Sequence, residues 1–187
     1  TAPFLQCSPM SVPLIQDLIA ADMRAVDAVI RSRLTSDVAL VSEVAEYIVG
    51  SGGKRLRPAL VILAAGALDY EGVHHHHLAA VVEFIHTATL LHDDVVDASE
   101  LRRGNPTANA LFGNAASVLV GDFVYSRAFQ MMVEVGSMRV MQVLAEATNV
   151  IAEGEVLQLM NCHNAGINEH DYLQVIRYKT AKLFEAA

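Results

Sequence analysis

The chain has 187 residues, of which 53% are hydrophobic and 18% charged, and its formal net charge is −8. This length suits a single domain with a sizeable apolar core, and the negative charge argues against nucleic acid as a partner. Two cysteines, Cys7 and Cys162, are too few for a disulfide framework and favour a reducing compartment. The longest apolar and glycine run, residues 59–68, is too short to span a bilayer, so we expect no transmembrane segment.

The chain is predicted to be helical almost throughout. Apolar residues recur at helical spacing, and we find neither period-2 alternation nor a hairpin signal, so an all-α antiparallel bundle is expected. Residues 1–10, with Pro3 and Pro9, are predicted to form a flexible arm, and Ser36 is predicted to be an N-cap. The predicted helices cover residues 11–34, 37–49, about 58–69, 74–98, 107–112, 115–134, 138–161 and 169–187.

The helix predicted at 74–98 ends in three carboxylates, Asp93, Asp94 and Asp97, and two arginines follow, Arg102 and Arg103. Residues four apart project from one helix face, so Asp93 and Asp97 can converge on a hard cation such as Mg²⁺. Without a cation they repel each other beside the negative end of the helix dipole. The arginines would complete a diphosphate site, although a solvated acidic helix end beside a basic loop would contain the same residues.

A second cluster, Lys54, Arg55 and Arg57, follows a glycine pair and precedes a predicted helix. Backbone amides at a helix N-terminus and an arginine fork both suit a phosphate group. An exposed basic turn would have the same composition.

Three further features are ambiguous by themselves. His86 lies two turns before the aspartates, but a single helical histidine is more often a filler than a ligand, and we assign His92 no role. The histidine run at 74–77 suggests a metal site, yet consecutive histidines on a helix point about 100° apart, which favours an exposed helix start. Lys179 and Thr180 lie in the last predicted helix, and Glu155 and Gln158 share a face of the preceding one. Together with the clusters above, they would supply basic groups for two separate diphosphates and carboxylates for a metal at only one of them.

Taken in order, these motifs resemble the trans-isoprenyl diphosphate synthases, above all the long-chain bacterial members that make octaprenyl diphosphate for quinone side chains. The similarity extends over about residues 12–187. The motifs that carry it are Gly52-Gly53-Lys54-x-x-Arg57-Pro58, Phe84-Ile85-His86-Thr87-Ala88-Thr89-Leu90-Leu91-His92-Asp93-Asp94-x-x-Asp97, Arg102-Arg103-Gly104, Gly121-Asp122 and Lys179-Thr180.

The resemblance implies the isoprenoid synthase fold, with a cavity between the helices, and a chain-elongating prenyltransferase. Such an enzyme condenses isopentenyl diphosphate with an allylic diphosphate, here farnesyl diphosphate, into a long-chain all-trans polyprenyl diphosphate. The resemblance further implies Mg²⁺ as cofactor, a homodimer, a cytoplasmic location and a peripheral membrane contact for product release.

The resemblance also implies residue roles. Asp93 and Asp97 would ligate Mg²⁺ with support from Asp94, and these three would act in catalysis together with Arg102 and Lys179. The implied binding residues are Lys54, Arg57, His86 and Arg103 for isopentenyl diphosphate, and Arg102, Gln158, Lys179 and Thr180 for the allylic diphosphate.

Product length is expected to depend on Ala88 and Thr89, one turn before Asp93, where short-chain members of the family carry a bulky aromatic residue. Small side chains here would leave the tail channel open and allow a product longer than C20. Ala88 would also be small if two helices simply crossed at this point.

The sequence departs from the family pattern in one respect. The second aspartate-rich motif of the family has no counterpart in it. Residues 11–187 are therefore expected to be the N-terminal portion of a single all-α domain, and the chain alone is expected to be incomplete. A non-catalytic or truncated subunit of a heteromeric synthase is the alternative. A terpene cyclase is a further alternative, because it also uses an aspartate-rich helix with Mg²⁺. It has no second diphosphate to bind, however, so the basic cluster at 54–57 would have no function in it.

Overall fold

The computed structural model describes residues 12–187, so the arm predicted at 1–10 lies outside the described residues. The all-α prediction is confirmed, since two short strands are the only extended elements in that range. In chain order the elements are α1 (Val12–Leu18), α2 (Ala20–Arg33), α3 (Ala39–Gly50), α4 (Leu56–Ala67), α5 (His75–Val96), β1 (Leu101–Arg102), β2 (Asn105–Pro106), α6 (Ala108–Phe112), α7 (Asn114–Val135), α8 (Met138–Asn161), α9 (Glu169–Ile176), a π-helical turn (Arg177–Ala181) and α10 (Lys182–Ala186).

Helix α5 is the centre of the bundle and packs against α2, α4 and α7. Every residue from 79 to 85 is buried, as expected for a helix surrounded by protein on all sides. Among residues 12–187, no helix combines the length and apolarity needed to cross a bilayer. Because α5 is surrounded by other helices, the polar side chains near its end lie where several helices meet.

Ser117 and His92 help to hold the end of α5 against α7. The Ser117 hydroxyl donates to the backbone oxygen of Leu91 at 2.8 Å. The His92 ring lies over Gly121, where a Cβ atom would overlap it, and its Nε2 atom is 3.3 Å from Asp122. These contacts fix the orientation of the turn that carries the aspartates, and they give His92 a packing role that the sequence did not indicate.

The N-terminal helices differ from the prediction in two details. The helix predicted at 11–34 is interrupted at Ile19, whose backbone departs from helical geometry between α1 and α2. The N-cap of α3 is Val38 rather than Ser36, so that prediction was wrong. The Ser36 hydroxyl instead accepts a hydrogen bond from the Val38 amide at 3.2 Å, which stabilises the turn before the helix.

A two-stranded hairpin follows α5, although no hairpin was expected from the sequence. Leu101 pairs with Pro106 and Arg102 with Asn105. The two loop residues, Arg103 and Gly104, have φ angles of 53° and 82°, as in the two-residue turns that match strand twist. Arginine rarely adopts this conformation, which is why the sequence signal was missed.

The helix predicted at 169–187 is divided by the π-helical turn into α9 and α10. This turn packs against α8 at Gly154. A Cβ atom there would lie 2.6 Å from the backbone nitrogen of Lys179 and 2.9 Å from the Cβ atom of Tyr178. The absence of a side chain at Gly154 thus allows the backbone that carries Lys179 to approach α8 closely.

Candidate active site

A cavity of about 460 Å³ opens between the loop before α4, the middle of α5, the hairpin turn and α10. Its lining includes the four side chains that the sequence predicted for isopentenyl diphosphate: Lys54, Arg57, His86 and Arg103. These residues come from three separate parts of the chain. The structure therefore brings together a cationic cluster that the sequence could only propose.

Arg57 lies on the wall of this cavity in an unusual environment. Its guanidinium carbon is 4.3 Å from the ring centroid of Phe184, a cation–π contact with α10. Its Nε atom is buried and has no hydrogen-bond partner among residues 12–187. Burial lowers the pKa of Arg57, and the nearby Glu83 carboxylate opposes this shift. A half-buried guanidinium with a buried, unused Nε–H donor is a feature that an anionic ligand would satisfy.

His86 is held neutral beside these arginines. Burial, together with the positive charges of Arg57 and Arg103, lowers its pKa to about 3. At physiological pH the imidazole can therefore donate an N–H group to a ligand, but it contributes no charge of its own.

The glycine pair positions Arg103 over the loop before α4. The Nη1 group of Arg103 donates to the backbone oxygen of Gly52. A Cβ atom at Gly53 would lie 2.9 Å from the same Nη1 atom. Lys54 is exposed at the rim of the cavity. Gly52 thus serves the site through its carbonyl oxygen and through a left-handed backbone, with φ 78°, that glycine adopts readily.

Arg55, the third cation of this segment, is engaged within the protein. Its Nη1 group donates to Glu83 at 2.6 Å, and its Nη2 atom is 3.9 Å from Asp27. Glu83 is buried, so this pair joins the start of α4 to α5 and α2. Arg55 is therefore a structural cation beside the cavity.

At the other end of the site, Asp93 and Asp97 keep the predicted helical relation. The Asp97 amide donates to the backbone oxygen of Asp93 at 2.8 Å, so the last turn of α5 remains helical. Burial raises the pKa of Asp93, the Lys179 charge opposes this, and the Asp97 charge raises the pKa further. A partly buried carboxylate at Asp93, with a second one four residues later, suits Mg²⁺, which binds one or two carboxylates and keeps its other positions for water and phosphate oxygens.

Asp94 points away from that pair and is only 1% exposed. It accepts hydrogen bonds from Arg102 at 3.1 and 3.0 Å from Nε and at 2.7 Å from Nη2. The hydrogen bond to Asp94 raises the pKa of Arg102. This bidentate pair holds the hairpin against α5. The support expected from Asp94 would therefore act through Arg102. The predicted contact of Arg102 with the allylic diphosphate remains a prediction.

Lys179 extends from the π-helical turn towards the aspartates. Its ammonium group donates to Glu155 at 2.7 Å and lies 3.4 Å from Asp93. Burial alone would lower its pKa, but the hydrogen bond to Glu155 and the Asp93 charge together raise it. Thr180 is exposed beside it, and Gln158 lies on α8 one turn after Glu155. Their predicted roles in binding remain predictions.

Gly154 should be essential for the position of Lys179. We expect Gly154→Ala to push the π-helical turn away from α8, because the nearest obstacles are backbone atoms. Overpacking of this kind typically costs about 1–3 kcal/mol. Urea unfolding should show this loss, and Lys179 should move away from Glu155.

Gly66 offers a matched control, since it is also helical but has open space around its Cβ position. Gly66→Ala should leave stability unchanged or raise it by up to about 1 kcal/mol, as helix propensity predicts. Equal effects of the two substitutions would contradict the close-approach role of Gly154.

The two residues expected to control product length occupy different environments. Ala88 is fully buried in the core, and the Thr89 hydroxyl donates to the backbone oxygen of His86 at 2.8 Å. Neither residue lines the 460 Å³ cavity as it is formed by the described residues. Their role in chain length therefore remains a prediction.

The sequence did not single out Phe184 and Gly154 as parts of the site. Phe184 had no local signal, because its contact with Arg57 spans the whole fold. A glycine inside an otherwise strong helical pattern did offer a signal at Gly154, since such a residue often marks close packing.

Comparison with known proteins is consistent with this geometry. The family model described as Polyprenyl synthetase matches residues 38–187. Octaprenyl diphosphate synthase of Escherichia coli (strain K12) is 60% identical over 178 residues, covering 95% of this chain and 55% of the relative. The protein of the same name from Haemophilus influenzae is 54% identical, covering 95% and 54%. The chain thus spans about half the length of these relatives.

Solved structures give the same result. A decaprenyl diphosphate synthase from Rhodobacter capsulatus is 56% identical with a TM-score of 0.89, covering 92% of this chain and 53% of that one. A polyprenyl synthase from Caulobacter crescentus, complexed with calcium and isoprenyl diphosphate, is 51% identical with a TM-score of 0.92, covering 96% and 55%. The predicted isoprenoid synthase fold and the resemblance are confirmed. The chain belongs to the polyprenyl synthetase family.

Proposed function

We propose that this chain carries the two substrate sites of a prenyltransferase that condenses isopentenyl diphosphate with an allylic diphosphate. The observation that best supports this is the placement of two different polar sites along one helix, α5. Cationic side chains surround His86, whereas Asp93 and Asp97 form a carboxylate pair further along. One diphosphate would be bound by cationic side chains alone, and the other would be bound together with a metal ion. Two such substrates need one cationic site and one carboxylate site.

The cationic cavity is the proposed site for isopentenyl diphosphate. A diphosphate oxygen would supply the partner that the buried Nε atom of Arg57 lacks among the described residues. Arg103 and Lys54 add charge at the rim, and neutral His86 adds an N–H donor. Together they would hold the diphosphate group of isopentenyl diphosphate by charge-assisted hydrogen bonds without a metal.

The allylic diphosphate is proposed to bind between the end of α5, the hairpin and the π-helical turn. Mg²⁺ held by Asp93 and Asp97 would supply positive charge to the departing diphosphate. Arg102 and Lys179 are proposed to contact the same group, with Gln158 and Thr180 beside them.

The proposed reaction exchanges one bond for another. The allylic carbon–oxygen bond breaks, and its electron pair leaves with the diphosphate, whose charge Arg102 and Lys179 stabilise. The double bond of isopentenyl diphosphate, held in place by Arg57, forms the new carbon–carbon bond. A proton is then lost to the released diphosphate, which restores an allylic product. Exclusion of water protects the carbocation from capture.

Two of the relatives are named octaprenyl diphosphate synthase and decaprenyl diphosphate synthase, and these names support a long product. We propose an all-trans polyprenyl diphosphate, octaprenyl diphosphate, made from farnesyl diphosphate for quinone side chains. We also propose that the enzyme is a homodimer, acts in the cytoplasm and contacts a membrane peripherally when it releases its product.

Two variants test whether the substrates occupy separate sites. Arg57→Ala removes a charge-assisted hydrogen bond worth about 1.5–3 kcal/mol. It should raise the KM for isopentenyl diphosphate roughly ten- to a hundredfold and change the allylic KM far less. Lys179→Ala should show the reverse pattern. Initial rates measured over both substrate concentrations, in the protein that carries this chain, separate the two constants.

Arg24→Ala, at an exposed position on α2, serves as the control for loss of an arginine and should leave both constants unchanged. If Arg57→Ala and Lys179→Ala each raised both KM values equally, the two substrates would not have separate sites.

A further inference from the structure

Three side chains with metal-binding chemistry meet far from the proposed active site, where α2 and α5 begin. Asp22 lies in the first turn of α2, and His75 and His76 lie in the first turn of α5. The Nε2 atom of His76 is 2.9 Å from Asp22 Oδ1, and that of His75 is 4.0 Å from the same oxygen. One ligand atom from each of the three residues lies within 4.8 Å of the other two.

This arrangement corrects the sequence-based expectation for the histidine run. The four histidines are partly buried rather than exposed, and two consecutive ones do converge. They converge because the Asp22 carboxylate on another helix offers a common point, which reasoning about α5 alone could not include. The rings of His75 and His76 lie 4.0 Å apart, and Tyr70 packs edge-on against His75 at 5.8 Å.

Two imidazoles and one carboxylate are a ligand set that suits Zn²⁺. Ligand atoms of a tetrahedral zinc site are roughly 3.4 Å apart, given metal–ligand distances near 2.0–2.2 Å. The observed separations of 2.9 and 4.0 Å lie on either side of this value. The three side chains are 22–40% exposed, which leaves access for a water molecule as fourth ligand.

We propose that Asp22, His75 and His76 form a Zn²⁺ site that links the start of α2 to the start of α5. His76 and Asp93 are 17 residues apart on α5, or about 25 Å at 1.5 Å per residue, so this site is distinct from the carboxylate pair. Its role is to hold the first turn of α2 against the central helix.

One feature limits the affinity of the site. The Nδ1 atom of His75 is buried and has no hydrogen-bond partner in the described part of the chain. In zinc-binding histidines the N–H group of the second ring nitrogen usually donates a hydrogen bond to an acceptor. Loss of such a partner weakens metal binding about 10–100-fold. We therefore expect a reversible site that responds to added zinc.

Titration calorimetry with ZnCl₂, in excess MgCl₂ and with untagged protein, tests the proposal. We expect one zinc ion per chain and a higher unfolding temperature when zinc is present. The His75→Ala/His76→Ala double variant and Asp22→Asn should each weaken binding at least about 10-fold. Their unfolding temperatures without zinc show whether the fold is intact, and Asp22→Asn is nearly isosteric.

A His74→Ala/His77→Ala double variant is the matched control, because it removes the same number of histidines from the same run. It should keep the site and its stoichiometry. The proposal is overturned if the wild-type chain binds no zinc, if the control loses as much affinity as the His75/His76 variant, or if Asp22→Asn binds zinc normally. The last two results would mean unspecific chelation by the histidine run.

Discussion

An Asp93→Ala variant of the protein that carries this chain is expected to lose turnover at least about 100-fold without losing thermal stability. The Asp93 carboxylate is proposed to hold Mg²⁺ against the departing diphosphate. Burial raises its pKa in the folded state, so its ionised form opposes folding at neutral pH. Its removal should therefore leave the unfolding temperature unchanged or raise it, while Lys179 keeps its partner Glu155. Steady-state turnover in Mg²⁺ and thermal unfolding measure the two effects.

Asp94→Ala provides the contrast one residue away. It removes the buried partner of Arg102, which should cost about 3 kcal/mol of stability, the lower end for broken buried pairs, because Arg102 is still 29% exposed. Asp93→Ala should thus affect catalysis alone, and Asp94→Ala should affect the fold as well. Near-normal turnover of Asp93→Ala in Mg²⁺ would end the assignment of Asp93 as a metal ligand.

The second large effect is expected at Ala88. If the growing tail extends from the carboxylates along α5 towards its N-terminus, Ala88→Phe should block it and shorten the product towards C20, the product of one condensation with farnesyl diphosphate. The first condensation should continue, because the diphosphate-binding groups are unchanged. The true floor of the channel would then be formed by larger side chains of α7, such as Phe123, Phe129, Met131 or Met132. Chromatography of the dephosphorylated alcohols reads the product length.

Packing offers a competing explanation for the small side chain, since Ala88 is 0% exposed in the core. Overpacking there would cost about 1–3 kcal/mol whatever the product. Ala45→Phe on α3 is the matched control, because Ala45 is buried to the same degree. It should lower stability and leave product length unchanged. If Ala88→Phe lowered stability but still gave the long product, the tail would not pass this residue.

The parts of the site that depend on local geometry could be predicted from the sequence. Asp93 and Asp97 share a face because helical spacing requires it, and α8 spans residues 138–161 as predicted because its apolar periodicity is continuous. Contacts between distant segments could not be predicted in this way. The pairs Arg57–Phe184 and Lys179–Glu155 join different helices, and their geometry depends on how those helices pack.

Three departures from the prediction have the same origin. His75 and His76 converge because of Asp22 on another helix, and the π-helical turn lies where Gly154 admits a second backbone. The hairpin depends on a left-handed arginine whose guanidinium is held by the Gly52 carbonyl. In each case a tertiary contact decided the local conformation.

Prenyl transfer itself is tested most directly by incubating the protein that carries this chain with radiolabelled isopentenyl diphosphate, farnesyl diphosphate and Mg²⁺. We predict that the label enters an extended polyprenyl diphosphate longer than C20, and that removal of Mg²⁺ by EDTA abolishes incorporation. Failure to consume isopentenyl diphosphate in the presence of Mg²⁺, or conversion of the allylic substrate alone into a cyclic product, would contradict the proposed function.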